Sequence, residues 1–225
     1  MPFIHDYNLI FIHIPKNGGT SVENHFDVWR EEKQFSCNDK EHKISWVSLN
    51  EEPMKIEKNI LTKDYGTENF IFSLQHYIPY FKKDLDTESW EKYRKFTIVR
   101  DPYTRAISEY CYRHHGKKIL MWDNNEFSNW FKNFCCDGVI LDHYLPQIEY
   151  FNHIKYNKIL RFENLNEDWN NMFSELNLKP IPQLPSANKS SHKHYSDYYD
   201  DESQEFIAKM FKKDINFFEY EFERK

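Results

Sequence analysis

Short apolar runs alternate with stretches of helical periodicity along this chain. Residues 9–14 read LIFIHI, a β-rich run bounded by Pro15 and the Gly18-Gly19 pair, which predicts a buried strand entering a tight turn. From Thr20 to about Arg30 the pattern turns helical, with Val22, Phe26 and Trp29 on one face. Further strands are predicted at 69–74 (NFIFSL), 95–99 (KFTIV) and 158–162 (KILRF). Pro102 stands at a natural first helical position behind Asp101, a plausible N-cap, so a helix is expected through about Arg113. Helices are also expected over 127–136, 143–151, 163–176 and 201–210. Residues 31–68 are polar and rich in Lys and Glu, and read as a variable insertion holding a short strand or two. The stretch 179–193, with three Pro, reads as a loop. Strands alternating with helices imply an α/β domain with a mostly parallel central sheet, and 225 residues suit one domain spanning 1–225.

Composition narrows the partners. The net charge of −6 argues against general affinity for nucleic acid or anionic membrane, so an anionic ligand must be met by a local cluster of cations and N–H groups. Nineteen Phe and fifteen Tyr supply a sizeable core. None of the four Cys forms a C-x-x-C pair, and they read as reduced thiols of a cytoplasmic protein. His5, Asp6 and Asn8 interrupt the apolar N-terminal run, which therefore reads as a first strand and neither as a signal peptide nor as a transmembrane helix.

Two segments carry candidate chemistry. The first, Pro15-Lys16-Asn17-Gly18-Gly19-Thr20-Ser21, lies between a predicted strand and a predicted helix, where α/β proteins bind phosphate-like groups. Paired Gly let the backbone approach an anion without Cβ clashes. Thr20 and Ser21 add hydroxyls at the helix start, and Lys16 adds a mobile positive charge. It is not a Walker A loop, which places its Lys after the glycines. In the second segment, Arg100-Asp101-Pro102-Tyr103-Thr104-Arg105-Ala106-Ile107-Ser108-Glu109-Tyr110, Arg100 leaves a strand end and Ser108 lies two turns along the following helix. Arg105 is explained at least as well by a structural role as by a ligand role.

The order P-K-x-G-G-T-S resembles the 5′-phosphosulfate loop of sulfotransferases that use 3′-phosphoadenosine 5′-phosphosulfate (PAPS). It is closest to the glycan O-sulfotransferase branch that includes heparan sulfate 2-O-sulfotransferase. The motif R-D-P-x-x-R-x-x-S-x-Y resembles the 3′-phosphate motif of the same enzymes. Weaker similarities run through Tyr144-Leu145-Pro146-Gln147, residues 160–165 with Asp168, Asn188-Lys189-Ser190 and the aromatic stretch 214–222. The resemblance implies a P-loop-like three-layer αβα sulfotransferase domain. It also implies PAPS as co-substrate, adenosine 3′,5′-bisphosphate as product, no metal, and a hydroxyl acceptor on a carbohydrate. Lys16, Asn17, Gly18, Gly19, Thr20, Ser21, Arg100 and Ser108 would then hold the nucleotide, with Lys16 also assisting the reaction.

A transfer to a hydroxyl needs a base titrating near neutrality, which favours His. Among eleven His, His76 follows a predicted strand, and its setting, Gln75-His76-Tyr77-Ile78-Pro79, resembles the segment that carries the base in glycan O-sulfotransferases. Around His114-His115 and His192/His194 there is no familiar metal-ligand spacing. Two alternatives stay open: a P-loop-like nucleotide kinase or NTPase with Asp101 on Mg²⁺, and an inactive adenine-nucleotide-binding module.

Overall fold

A computed structural model describes residues 2–26, 44–46, 69–71, 87–114, 124–134, 139–152, 154–178, 184 and 193–225. In chain order its strands are β1 (Pro2–Ile4), β2 (Leu9–Ile12), β3 (Ile44–Trp46), β4 (Asn69–Ile71), β5 (Arg94–Val99), β6 (Val139–Leu141) and β7 (Lys158–Arg161). Its α-helices are α1 (Gly19–His25), α2 (Thr87–Lys92), α3 (Pro102–Arg113), α4 (Asn124–Phe134), α5 (Leu165–Glu175), α6 (Asp201–Met210) and α7 (Lys212–Phe218). The chain divides into two compact units. One takes in Met1–Pro53, Phe72–Val99 and Glu149–Lys189; the other takes in Met54–Ile71, Arg100–Ile148 and Ser190–Lys225.

The first unit holds a five-stranded sheet of order β3-β1-β2-β5-β7. Its centre is parallel: β2 pairs with β5, and β5 with β7. Its far edge is antiparallel, because β1 pairs antiparallel with both β2 and β3. The expected parallel sheet is present in β2, β5 and β7, and β1 and β3 add an antiparallel edge to it. The cause is local: His5–Tyr7 form a 3-10 turn and Asn8 takes a left-handed conformation (φ 52°), which folds the N-terminus back on β2. What reads as one interrupted run is two strands. β3 supplies a short strand within 31–68.

Successive strand residues face opposite sides, so Leu9, Phe11, Phe96, Ile98 and Leu160 line one face of the parallel strands. Val22 of α1 and Trp169, Met172 and Phe173 of α5 pack with them. Positions 165, 169, 172 and 173 form the apolar stripe expected of a helix lying on a sheet. Phe11 stacks on Phe96 with centroids 5.0 Å apart, and Trp169 meets Phe96 edge-on at 6.0 Å.

The second unit holds β4 and β6 as a separate parallel pair. Residues 69–71 thus do not extend the main sheet, and 72–74 lie outside the described residues. Asp101 caps α3 by accepting the Tyr103 N–H at 2.7 Å, with Pro102 at the first helical position, as its sequence predicts. Asp200 and Ser203 form a capping box at α6. The expected helix over 143–151 is instead two 3-10 turns, Asp142–Tyr144 and Gln147–Phe151, since Pro146 cannot donate to a continuing helix. Among the described residues, no helix is long and apolar enough to cross a membrane.

Candidate active site

The loop leaving β2 is shaped by close packing from beneath. Lys16 is half-buried and has φ 67°, a left-handed conformation rare for a residue with a side chain. Gly18, which caps α1, has φ 85°. Two reversals of hand within three residues make the kind of backbone from which N–H groups converge on an anion. A Cβ on Gly18 would meet the Phe162 ring at 3.1 Å, and one on Gly19 would meet His13 Nε2 at 2.0 Å. Glycine is thus required twice: Gly18 for its backbone angle and Gly19 because an imidazole fills the place of its side chain.

His13 is itself held. Its Nδ1 lies 2.7 Å from Glu23 Oε1 on α1, and the two residues are 3 % and 0 % exposed. A carboxylate so deeply buried needs such a partner. Asn17 is buried, and its side-chain amide donates to the Ile98 carbonyl on β5 at 2.7 Å, which ties the loop to the sheet. Thr20 is exposed at the start of α1, while Ser21 is buried and donates its N–H to the Gly18 carbonyl at 3.0 Å. Residues 16–21 therefore form the loop after the C-terminal end of β2 and the first turn of α1, in the first unit.

Arg100, next in sequence after β5, belongs to the second unit. Its Nε donates to Thr104 Oγ1 at 2.9 Å, and that hydroxyl donates to the Asp101 carbonyl at 3.1 Å. A side-chain amide from far along the chain grips its backbone. Arg100 N–H donates to Gln147 Oε1 at 2.9 Å, and Arg100 C=O accepts from Gln147 Nε2 at 2.8 Å. Gln147 and Ile148 in turn donate their own N–H groups to Asp214, at 2.7 and 2.9 Å. Burial pushes the Asp214 carboxyl up to about 6, against the pull of those two N–H groups and of Arg105. Ser108 is half-buried on α3.

Arg105 is structural. Its guanidinium, 2 % exposed, donates to the Leu145 and His143 carbonyls, both at 3.0 Å. Glu109, beside Ser108 and also buried, binds His143 Nδ1 at 2.7 Å and Arg113 Nε at 2.8 Å. His76 lies outside the described residues, as do Asn188, Lys189 and Ser190.

Reading the sequence missed His13, Glu23 and the placing role of Gln147. A signal existed for His13: a lone polar residue in an otherwise apolar buried run must find a buried partner. Nothing local pointed to its being Glu23.

Compared with known proteins, the chain matches a family model described as "Sulfotransferase family" over residues 3–221. No curated protein and no solved structure matches it.

Proposed function

This chain belongs to the sulfotransferase family, and from that premise we propose that it moves a sulfuryl group from PAPS to a hydroxyl of a carbohydrate acceptor. The fold would then be a three-layer, P-loop-like αβα domain. The observation that carries the reading is the β2–α1 loop, where Lys16 holds a left-handed backbone two residues before Gly18 and Gly19. Such a conformation persists only where its surroundings impose it, and it recurs where ligands are clamped. In this reading main-chain N–H groups of residues 16–20, the Thr20 and Ser21 hydroxyls and the Lys16 ammonium receive the 5′-phosphosulfate. Arg100 and Ser108 receive the 3′-phosphate, which charge-assisted hydrogen bonds suit.

In the reaction, the acceptor oxygen attacks sulfur while the bond from sulfur to the 5′-phosphate oxygen breaks. The acceptor proton passes to His76, and adenosine 3′,5′-bisphosphate leaves with the electron pair. Lys16 stabilises the charge that builds on the sulfuryl and leaving-group oxygens. Against a kinase stand the order of the β2–α1 loop, with Lys16 before the glycines, and Pro102 directly after Asp101, whose Oδ1 caps α3.

The test is transfer of label from PAPS carrying a radioactive sulfuryl group to a panel of glycans and small hydroxyl compounds, with release of the bisphosphate followed in parallel. Label is expected on a sugar, and His76→Ala is expected to slow turnover by about 10²- to 10⁴-fold. Phosphate transfer from ATP in the same panel, with no sulfuryl transfer, would contradict the proposal.

A further inference from the structure

We propose that Gln147 is a positioning residue that sets Arg100 for the 3′-phosphate of the nucleotide, with Asp214 as its anchor. The inference rests on the assignment of Arg100 made above.

Arg100 is the first residue past the end of β5, where ladder pairing no longer fixes the backbone. Gln147 replaces that pairing with one side chain. A planar amide carries a donor and an acceptor side by side, so it satisfies the N–H and the C=O of one residue at once. Here it does so at 2.9 and 2.8 Å. Gln147 is fully buried. Its own backbone is fixed by Asp214, also fully buried on α7, whose two oxygens take the N–H groups of Gln147 and Ile148. The Thr104 hydroxyl takes the Nε of the same arginine. Backbone and guanidinium root are therefore both fixed before any ligand arrives, which lowers the ordering cost of binding an anion.

A clamp serving only the fold would affect every ligand alike. A clamp that aims Arg100 affects only ligands bearing a 3′-phosphate. The measurement is calorimetric affinity for AMP and for adenosine 3′,5′-bisphosphate, in the unmutated protein and in Gln147→Glu, where an acceptor replaces the donor facing the Arg100 carbonyl. Charge-assisted bonds from Arg100 and Ser108 give an expected preference for the bisphosphate of about 10²-fold or more. Gln147→Glu is expected to reduce that preference at least about tenfold, with AMP affinity changed by less than about threefold.

If Gln147→Glu does not fold, Gln147→Met, of similar volume and without either hydrogen bond, is measured in its place with the same expectation. A preference that survives in a folded variant overturns the role of Gln147 and leaves the proposed function standing. Equal loss of both ligands also overturns it, since the clamp would then be purely structural. An unmutated protein that binds AMP and the bisphosphate equally overturns this inference and the proposed function together.

Discussion

Lys16 sits in a backbone conformation, φ 67°, that suits glycine better than lysine. Holding a side-chain-bearing residue there costs on the order of 1–3 kcal/mol. Replacing it with glycine removes that strain, so Lys16→Gly is expected to lose no stability in urea. The same variant lacks the ammonium and should lose turnover by about 10²- to 10³-fold or more at saturating PAPS. Turnover within a few-fold of the unmutated protein would refute the role of the side chain. Asp214 yields a prediction of a different kind. Burial raises its carboxyl from 3.8 to about 6 in the folded protein. The folded state therefore binds the proton more tightly, and this residue's contribution to stability falls as pH rises from about 4 to about 6. Across that window the urea stability of Asp214→Asn should improve relative to the unmutated protein by roughly 2–3 kcal/mol. A difference that is flat from pH 4 to pH 7 would contradict it. The tight turn at Gly18 and Gly19 was legible in the sequence because it is a local feature. Gln147 and Asp214 were not, because their partners lie 47 and 67 residues away.

At the scale of elements, chemistry near the chain fixed what could be read. α3 begins and ends where its cap, its N1 proline and its periodicity put it, over Pro102–Arg113. Its cap gives a direct check: Asp101→Ala should cost about 0.5–2 kcal/mol in chemical denaturation. An unchanged midpoint would mean that the bond to the Tyr103 N–H adds nothing to the helix. α6 also lies where predicted, Asp201–Met210, behind its capping box. Two of the errors share a cause, short turns whose geometry competes with the pattern of apolar residues. The His5–Tyr7 turn with left-handed Asn8 divides one apparent run into β1 and β2. Pro146 divides an apparent helix into two 3-10 turns. β6, only three residues long, is too brief for alternation to stand out.

For the whole molecule, alternating strands and helices were enough to give the α/β class, and the sulfotransferase family match runs over residues 3–221 and so takes in residues of both units. Strand partners were less legible, since pairing is set by contacts remote in sequence. β4 joins β6 and not the main sheet. Net charge −6 carries a functional consequence, because a protein that repels anions at long range must bind one through a few placed groups. Those groups are assigned here to Lys16 and its loop, and to Arg100 and Ser108. The most direct test of PAPS chemistry needs no acceptor: thermal denaturation with adenosine 3′,5′-bisphosphate or ADP at equal concentration. Only the bisphosphate carries the 3′-phosphate assigned to Arg100 and Ser108. It should raise the melting temperature well beyond ADP, and the Arg100→Ala, Ser108→Ala double variant should largely lose that advantage. Equal stabilisation of the unmutated protein by the two nucleotides would contradict the central claim.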